Sequence, residues 1–241
     1  MILTFLGVGE AFGQFANTSI LVDGKLLLDC GPHTLLQLRK QQQDLKEIEL
    51  VFLSHFHGDH TLGLPALLLA SHEENRVEEL KIFGPSGLRE KIEDLLEISY
   101  RKSIEDLSFE LDTFEVPDLK EGTTHKDYKL EFAQTAHSIE CCSIAISKSG
   151  KKMTYTSDGA PTEDTVSIAS DSDILIAEAY SEGFSGHSSA VKAAELAFRS
   201  HSKSLALVHI SRNKNGEEEL EKAKRIFKNS FLPTDSLTVT I

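Results

Sequence analysis

The chain has 241 residues, 40% of them hydrophobic and 26% charged, which suits one large globular domain or two small ones with a sizeable core. Its 38 acidic against 25 basic residues leave a net charge of −13, which argues against a broad nucleic-acid-binding face, since phosphate contacts want clustered positive charge. The opening MILTFLGVGEAFG has no Lys or Arg before Lys25 and is no secretory signal, no apolar run reaches membrane-spanning length, and Cys30, Cys141 and Cys142 lack C-x-x-C spacing and read as reduced thiols of a cytoplasmic protein.

Apolar runs predict strands over 2–6 and 19–31, with Asp23-Gly24 as a tight hairpin turn. Residues 35–43 suit a short helix, and IELVFLS (48–54) is a buried strand running straight into a histidine cluster. From His60 to about His72 the chain is apolar and helix-like, with Gly63 and Pro65 near its start, where they are tolerated. ELKIFGP (79–85) reads as a strand and turn, and 87–102 places Leu88, Ile92, Leu95 and Leu96 on one helical face. Residues 107–116 and 128–135 alternate like strands, and 142–159 read as a hairpin around Ser149-Gly150 that ends at Asp158. A strand at 172–179, a helix at 189–201 and a strand at 204–211 follow. The helix at 216–229 carries Glu218–Lys222 and Glu221–Arg225 pairs on its wet side, and a strand at 236–241 closes the chain. Each half runs strands first and then alternates strand and helix. Two sheets between outer helices satisfy this order, an α/β (α+β) four-layer αββα sandwich, and with no linker in view residues 1–241 read as one domain.

The segment LSHFHGDHTLGL (53–64) crowds His55, His57, Asp59 and His60 into six positions. Imidazoles side by side repel when protonated and gain nothing from one another when neutral, so a metal cation is the usual reason to gather them. The strand before them ends at Ser54, which puts the cluster on a loop at a strand's C-terminal edge. Four ligands do not fill two metal shells. His137, Asp158 and His209 each follow a predicted strand and are the candidates for the rest, although singly each reads as well as a surface or core residue.

In this order, SHFHGDH (54–60), AHS (136–138), SDG (157–159) and VHIS (208–211) resemble the metallo-β-lactamase superfamily, whose fold is the αββα sandwich. Within it the chain is similar to the ribonuclease Z branch through FLGVGEAF (5–12), NTSILV (17–22), LLLDCG (26–31), GPSGL (84–88), IAEAY (176–180), GHSSA (186–190) and VHISR (208–212). The resemblance implies one metal held by His55, His57 and His137, a second held by Asp59, His60 and His209, and Asp158 between them. It also implies two divalent ions, usually zinc, with manganese or iron tolerated by the same donors. By position alone His187 is a helix-entry residue and Glu178 a strand-end charge. The resemblance makes His187 a general acid oriented by Glu178, and these two with Asp59 are the catalytic candidates. Ser211 and Arg212 stand where they could touch a substrate phosphate, while His33, His72, His125 and His201 carry no implied role.

Ribonuclease Z enzymes that trim precursor tRNA carry a long Gly/Pro-rich arm between the third metal histidine and the bridging aspartate. Here SIECCSIAISKSGKKMTYTS, a plain hairpin, fills that interval, and SDG and GHSS stand where Gly-Asp-Thr and GHST are usual. The expected function is a dinuclear hydrolase of small or cyclic-nucleotide-like phosphodiesters. The alternatives are tRNA 3′ processing, a lactone or thioester hydrolase of the same fold, and a non-catalytic metal-binding protein. Nucleic acid is disfavoured as a partner by charge and the missing arm, no membrane partner is expected, and a homodimer is implied by resemblance only.

Overall fold

The computed structural model describes residues 1–118, 122–183 and 186–241. The first half contains β1 (Ile2–Gly7), β2 (Ser19–Val22), β3 (Leu26–Leu28), α1 (Thr34–Lys40), β4 (Leu50–Phe52), α2 (Gly58–Thr61), α3 (Leu64–Glu73), β5 (Leu80–Gly84), α4 (Leu88–Tyr100) and β6 (Leu111–Glu115). The second contains β7 (Thr123–His125), β8 (Tyr128–Gln134), β9 (Cys142–Lys148), β10 (Lys151–Tyr155), α5 (Glu163–Ala169), β11 (Ile174–Glu178), α6 (Ala190–Arg199), β12 (Leu205–Val208), α7 (Gly216–Lys224) and β13 (Ser230–Phe231), and then β14 (Thr238–Thr240).

The strands form two seven-stranded sheets, ordered β14-β1-β2-β3-β4-β5-β6 and β13-β12-β11-β10-β9-β8-β7. Each is antiparallel at one end and parallel at the other. β3, β4, β5 and β6 are parallel neighbours in the first sheet, and β10, β11, β12 and β13 in the second. Side-chain alternation sends Leu3, Phe5, Leu26, Leu28 and Phe52 inward, where they meet Leu130, Ile144, Met153, Tyr155 and Ile176 of the other sheet. The opposite faces take the helices. Leu27, Val51 and Ile82 pack under α1, α3 and α4, and Leu175, Leu205 and Leu207 under α6 and α7. The expected αββα layering is therefore present.

Local chemistry sets the connections. At the β2–β3 turn Asp23 and Gly24 have φ of +51° and +71°, and at the β9–β10 turn Ser149 and Gly150 have +51° and +74°. Two left-handed residues in succession match the twist of a hairpin, so both predicted turns form. α7 is capped by the Asn215 side chain, has Glu217, Glu218 and Glu219 in its first turn and Lys222 and Lys224 in its last, as the helix dipole favours.

Some details differ from the sequence reading. α5, β7 and β13 went unread because they are short and owe their existence to neighbours. β13, for example, is two residues defined by pairing with β12. The apolar stretch from His60 is two helices rather than one. It breaks at Gly63, where a Cβ would stand 2.0 Å from the Gly31 carbonyl oxygen. Helix α7 stops at Lys224, and its ion pairs are Lys222–Glu219 and Lys224–Glu221, spaced three residues apart rather than the expected four. All three thiols are free and buried, as expected.

Candidate metal centre

The parallel strands point their C-terminal ends the same way, and the expected site residues emerge there. His55 and His57 lie on the loop after β4. Asp59 and His60 ride on α2 rather than on that loop, which corrects the sequence placement. His137 follows β8, Asp158 follows β10, and His209 follows β12 with φ of +53°. The two sheets thus bring seven residues from five segments into one cleft. Ligand atoms of His55, His57, His137 and Asp158 lie within 4.8 Å of one another, and so do those of Asp59, His60 and His209.

Spacing within each set is specific. A tetrahedral zinc with bonds near 2.05 Å has donor–donor edges of about 3.3 Å. In the first set His57 Nδ1 stands 3.0 Å from His55 Nε2 and 3.2 Å from His137 Nε2. In the second, Asp59 Oδ2 stands 3.2 Å from His209 Nε2 and 3.4 Å from His60 Nε2. Asp158 turns one oxygen to each set: Oδ2 is 3.9 Å from His55 Nε2, and Oδ1 is 3.5 Å from His60 Nε2 and 3.6 Å from His209 Nε2.

Partners on the far side of the rings fix which nitrogen faces the cleft. His55 Nδ1 meets Ser54 Oγ at 2.9 Å, His60 Nδ1 donates to Asp29 Oδ2 at 2.8 Å, and His137 Nδ1 donates to the Gly186 carbonyl. Each arrangement leaves a lone pair on Nε2, aimed inward. Among the described residues, His60 Nε2 and Asp158 Oδ1 on the inward side, and His209 Nδ1 on the far side of its ring, have no hydrogen-bond partner although all are sealed from water. A buried imidazole nitrogen and a buried carboxylate oxygen left unpaired are costly, and divalent cations satisfy both. The donor set therefore fits the two divalent ions that the resemblance implies.

Electrostatics agree. Burial first, and then the neighbouring imidazoles, hold His55 well below its ordinary value, and burial likewise lowers His57 and His137, so these three rings stay neutral. Burial raises Asp158. Burial would also raise Asp59, but hydrogen bonds from His209 and His60 pull it far down. Burial opposes charge on His60, yet Asp158 and Asp29 lift it to about 10, and the same competition raises His209. A half-cell of concentrated negative charge around two imidazoles is a place for a cation.

Asp29 is the supporting residue the sequence reading did not single out. Fully buried at φ of +58°, its carboxylate accepts from Ser54 N (2.8 Å), Ser54 Oγ (2.9 Å), His60 Nδ1 (2.8 Å) and Tyr155 OH (2.8 Å). The signal available was an acid ending the apolar run LLLDCG, with no other reason to lie in the core.

Beside the cleft, Glu178 is buried at the end of β11. It accepts His187 Nδ1–H at 2.5 Å on Oε1, and Gly159 N and Ser188 N at 2.8 Å each on Oε2. Burial works against charge on His187, but Glu178 raises it, and Glu178 itself is brought down to about 2 despite its burial. His187 Nδ1 is 3.9 Å from Asp158 Oδ2, so the pair borders the cluster. Arg212 is not poised as a free phosphate contact. Its guanidinium pairs with buried Glu10 at 3.0 and 3.2 Å and lies over the Phe12 ring.

A profile of the family described as anti-Pycsar protein Apyc1 matches residues 1–229. Ribonuclease Z of Picrophilus torridus is 30% identical, with 99% of this chain and 95% of the relative covered. That alignment runs over 295 positions against 241 residues, so the relative carries at least 54 residues opposite gaps. The short form of human tRNase Z (ELAC1) superposes with a TM-score of 0.83 at 25% identity over 100% of this chain and 99% of that one. A diphosphatase of the PhnP family superposes with a TM-score of 0.79 at 19% identity, over 100% and 97% respectively.

Proposed function

The chain belongs to the family of the anti-Pycsar protein Apyc1, and from that premise we propose that it opens small, cyclic-nucleotide-like phosphodiesters at a two-metal site. It is a ribonuclease Z-like hydrolase of the metallo-β-lactamase superfamily, and phosphodiester cleavage is its reaction class. The observation that carries the proposal is the convergence of seven donors at ligand-edge spacing, with the Glu178–His187 pair alongside.

His55, His57, His137 and Asp158 would hold one ion, and Asp59, His60, His209 and Asp158 the other, with zinc the cation this donor set suits best. Bound there, the ions supply an acidified water and draw off charge from the phosphoryl oxygens. The remaining chemistry is the chain's own. An alkoxide leaving group needs a proton, and His187 is the donor beside the cleft. Glu178 holds His187 Nδ1, and two backbone N–H groups hold Glu178, so Nε2 is the atom that transfers. Ester and thioester leaving groups depart with less help, which weighs against a lactonase or thioesterase.

Substrate size is argued from what joins His137 to Asp158. That interval is the β9–β10 hairpin, with no room for an RNA-gripping arm, and the −13 charge gives little for phosphate backbones to hold. Trimming of precursor tRNA is the second reading, favoured by the 30% identity to a ribonuclease Z. The test is a side-by-side assay of the metal-loaded protein on 3′,5′-cyclic nucleotides, bis-p-nitrophenyl phosphate, a precursor tRNA and a lactone. The cyclic nucleotide should open and the tRNA stay intact; cleavage at the tRNA 3′ trailer promotes the second reading. Elemental analysis should find two equivalents of metal, and fewer in Asp158→Ala. Two equivalents in that variant would break the shared-ligand assignment.

A further inference from the structure

We propose that Tyr180 is a positioning residue for the proton donor: its ring clamps the face of His187 and fixes the plane in which Nε2 points. The inference rests on the reading of His187 as general acid. The hydrogen bond from His187 Nδ1 to Glu178 fixes one ring atom, and an imidazole held at one atom can still tilt about it. The backbone does not fix the tilt either. His187 belongs to no helix or strand and follows Gly183 and Gly186, both left-handed at φ of +75° and +78°. Contacts must set the plane. Tyr180, two residues beyond Glu178, lies across the His187 ring with centroids 4.5 Å apart and planes inclined by 27°. His137 meets the same ring edge-on, at 4.9 Å and 82°. Offset stacking on a face and an edge contact at right angles are the two favourable aromatic geometries, and both restrain the tilt of the ring, which also lies parallel to the His209 ring at 6.3 Å.

The clamp is braced from the scaffold. The Tyr180 carbonyl accepts Ser211 N at 3.2 Å, which ties it to the loop after His209. The same loop carries Arg212, whose guanidinium pairs with buried Glu10.

A clamp on a proton donor matters only when the leaving group needs the proton. The test uses the metal-loaded full chain and a series of aryl phosphodiesters from p-nitrophenyl to unsubstituted phenyl. Tyr180→Ala should lower kcat about tenfold on the phenyl ester, a fraction of the 10²–10⁴-fold that a whole general acid supplies, with a far smaller change on the p-nitrophenyl ester and in KM. The dependence of log kcat on leaving-group pKa should steepen accordingly. Tyr180→Phe keeps the ring and should recover most of the rate. In the His187→Ala background Tyr180→Ala should add nothing, since residues acting as one unit are not additive. Equal losses across the series, failure of Tyr180→Phe to recover, or additive losses in the double variant would overturn the clamp. If His187→Ala itself leaves the phenyl ester rate unchanged, the general-acid reading falls and the clamp with it. A slow His187→Ala beside an unaffected Tyr180→Ala sinks the clamp alone.

Discussion

An imidazole gives a cation a well-aimed lone pair when its other nitrogen is tied down, and His55, His60 and His137 are each tied by a different segment: Ser54, Asp29 and the Gly186 carbonyl. Asp29 does the most, because its one carboxylate collects four donors from the loop after β4, from α2 and from β10. Asp29→Asn replaces an acceptor with a donor in that nest. It should cost 10–100-fold in metal affinity, read by chelator competition, together with about 1–3 kcal/mol of stability. An unchanged affinity would show that His60 needs no such support. His187→Ala should keep its metal and lose roughly 10²–10⁴-fold in kcat on a poor leaving group; full turnover would remove His187 from the reaction. The clustered donor residues were legible in sequence because histidine is scarce and its crowding at 55–60 is hard to explain otherwise. Asp29 and Tyr180 were present in quoted motifs, but nothing in a string of letters says which side chains meet behind a histidine.

At the scale of elements, the site depends on how closely α2 is drawn down on the end of β3. Cys30 N donates to the His60 carbonyl at 2.8 Å, and Gly63 N to the Cys30 carbonyl at 2.9 Å. Between them Gly31 has no room for a side chain, since a Cβ would stand 2.0 Å from the Asp59 carbonyl oxygen. Backbone cannot swing aside as a flexible side chain does, so Gly31→Ala must lift α2 and with it Asp59 and His60. About 1–3 kcal/mol of lost stability is expected, with reduced metal occupancy by elemental analysis. A variant that melts and loads like the parent would show that α2 yields freely. Strands with apolar runs and turns with Asp-Gly or Ser-Gly could be read from sequence, because each follows from local sterics. The break at Gly63 could not, for its cause is a carbonyl thirty-two residues away.

Across the whole molecule, the two sheets are joined by their apolar core and by Glu49 just before β4. Its carboxylate takes Lys25 from the β2–β3 turn at 3.0 Å, and His125 (3.2 Å) and Lys126 (2.8 Å) from the edge of the second sheet. Burial opposes the charge, but hydrogen bonds from Lys126, Lys25 and His125 bring its pKa down to about 2. A carboxylate held below its unfolded value of 4.5 stabilises above that pH and loses the contribution as pH falls toward 2. Glu49→Gln should therefore cost up to about 1 kcal/mol near pH 7, the group being partly exposed. The gap to the parent should close as pH drops from about 5 to about 2. Urea midpoints at several pH values measure it, and a gap that stays constant in acid would rule the pairing out. By itself the sequence determined the alternation of strands and helices, the inward and outward faces, and the chemistry of the histidine cluster, all set by residue type and spacing along a few neighbours. Only the tertiary structure decided that Asp158 turns one oxygen to each donor set, that Glu178 reaches His187, and that Arg212 pairs with Glu10. Those contacts join residues nine to some two hundred positions apart, and their distances exist only once two sheets have packed.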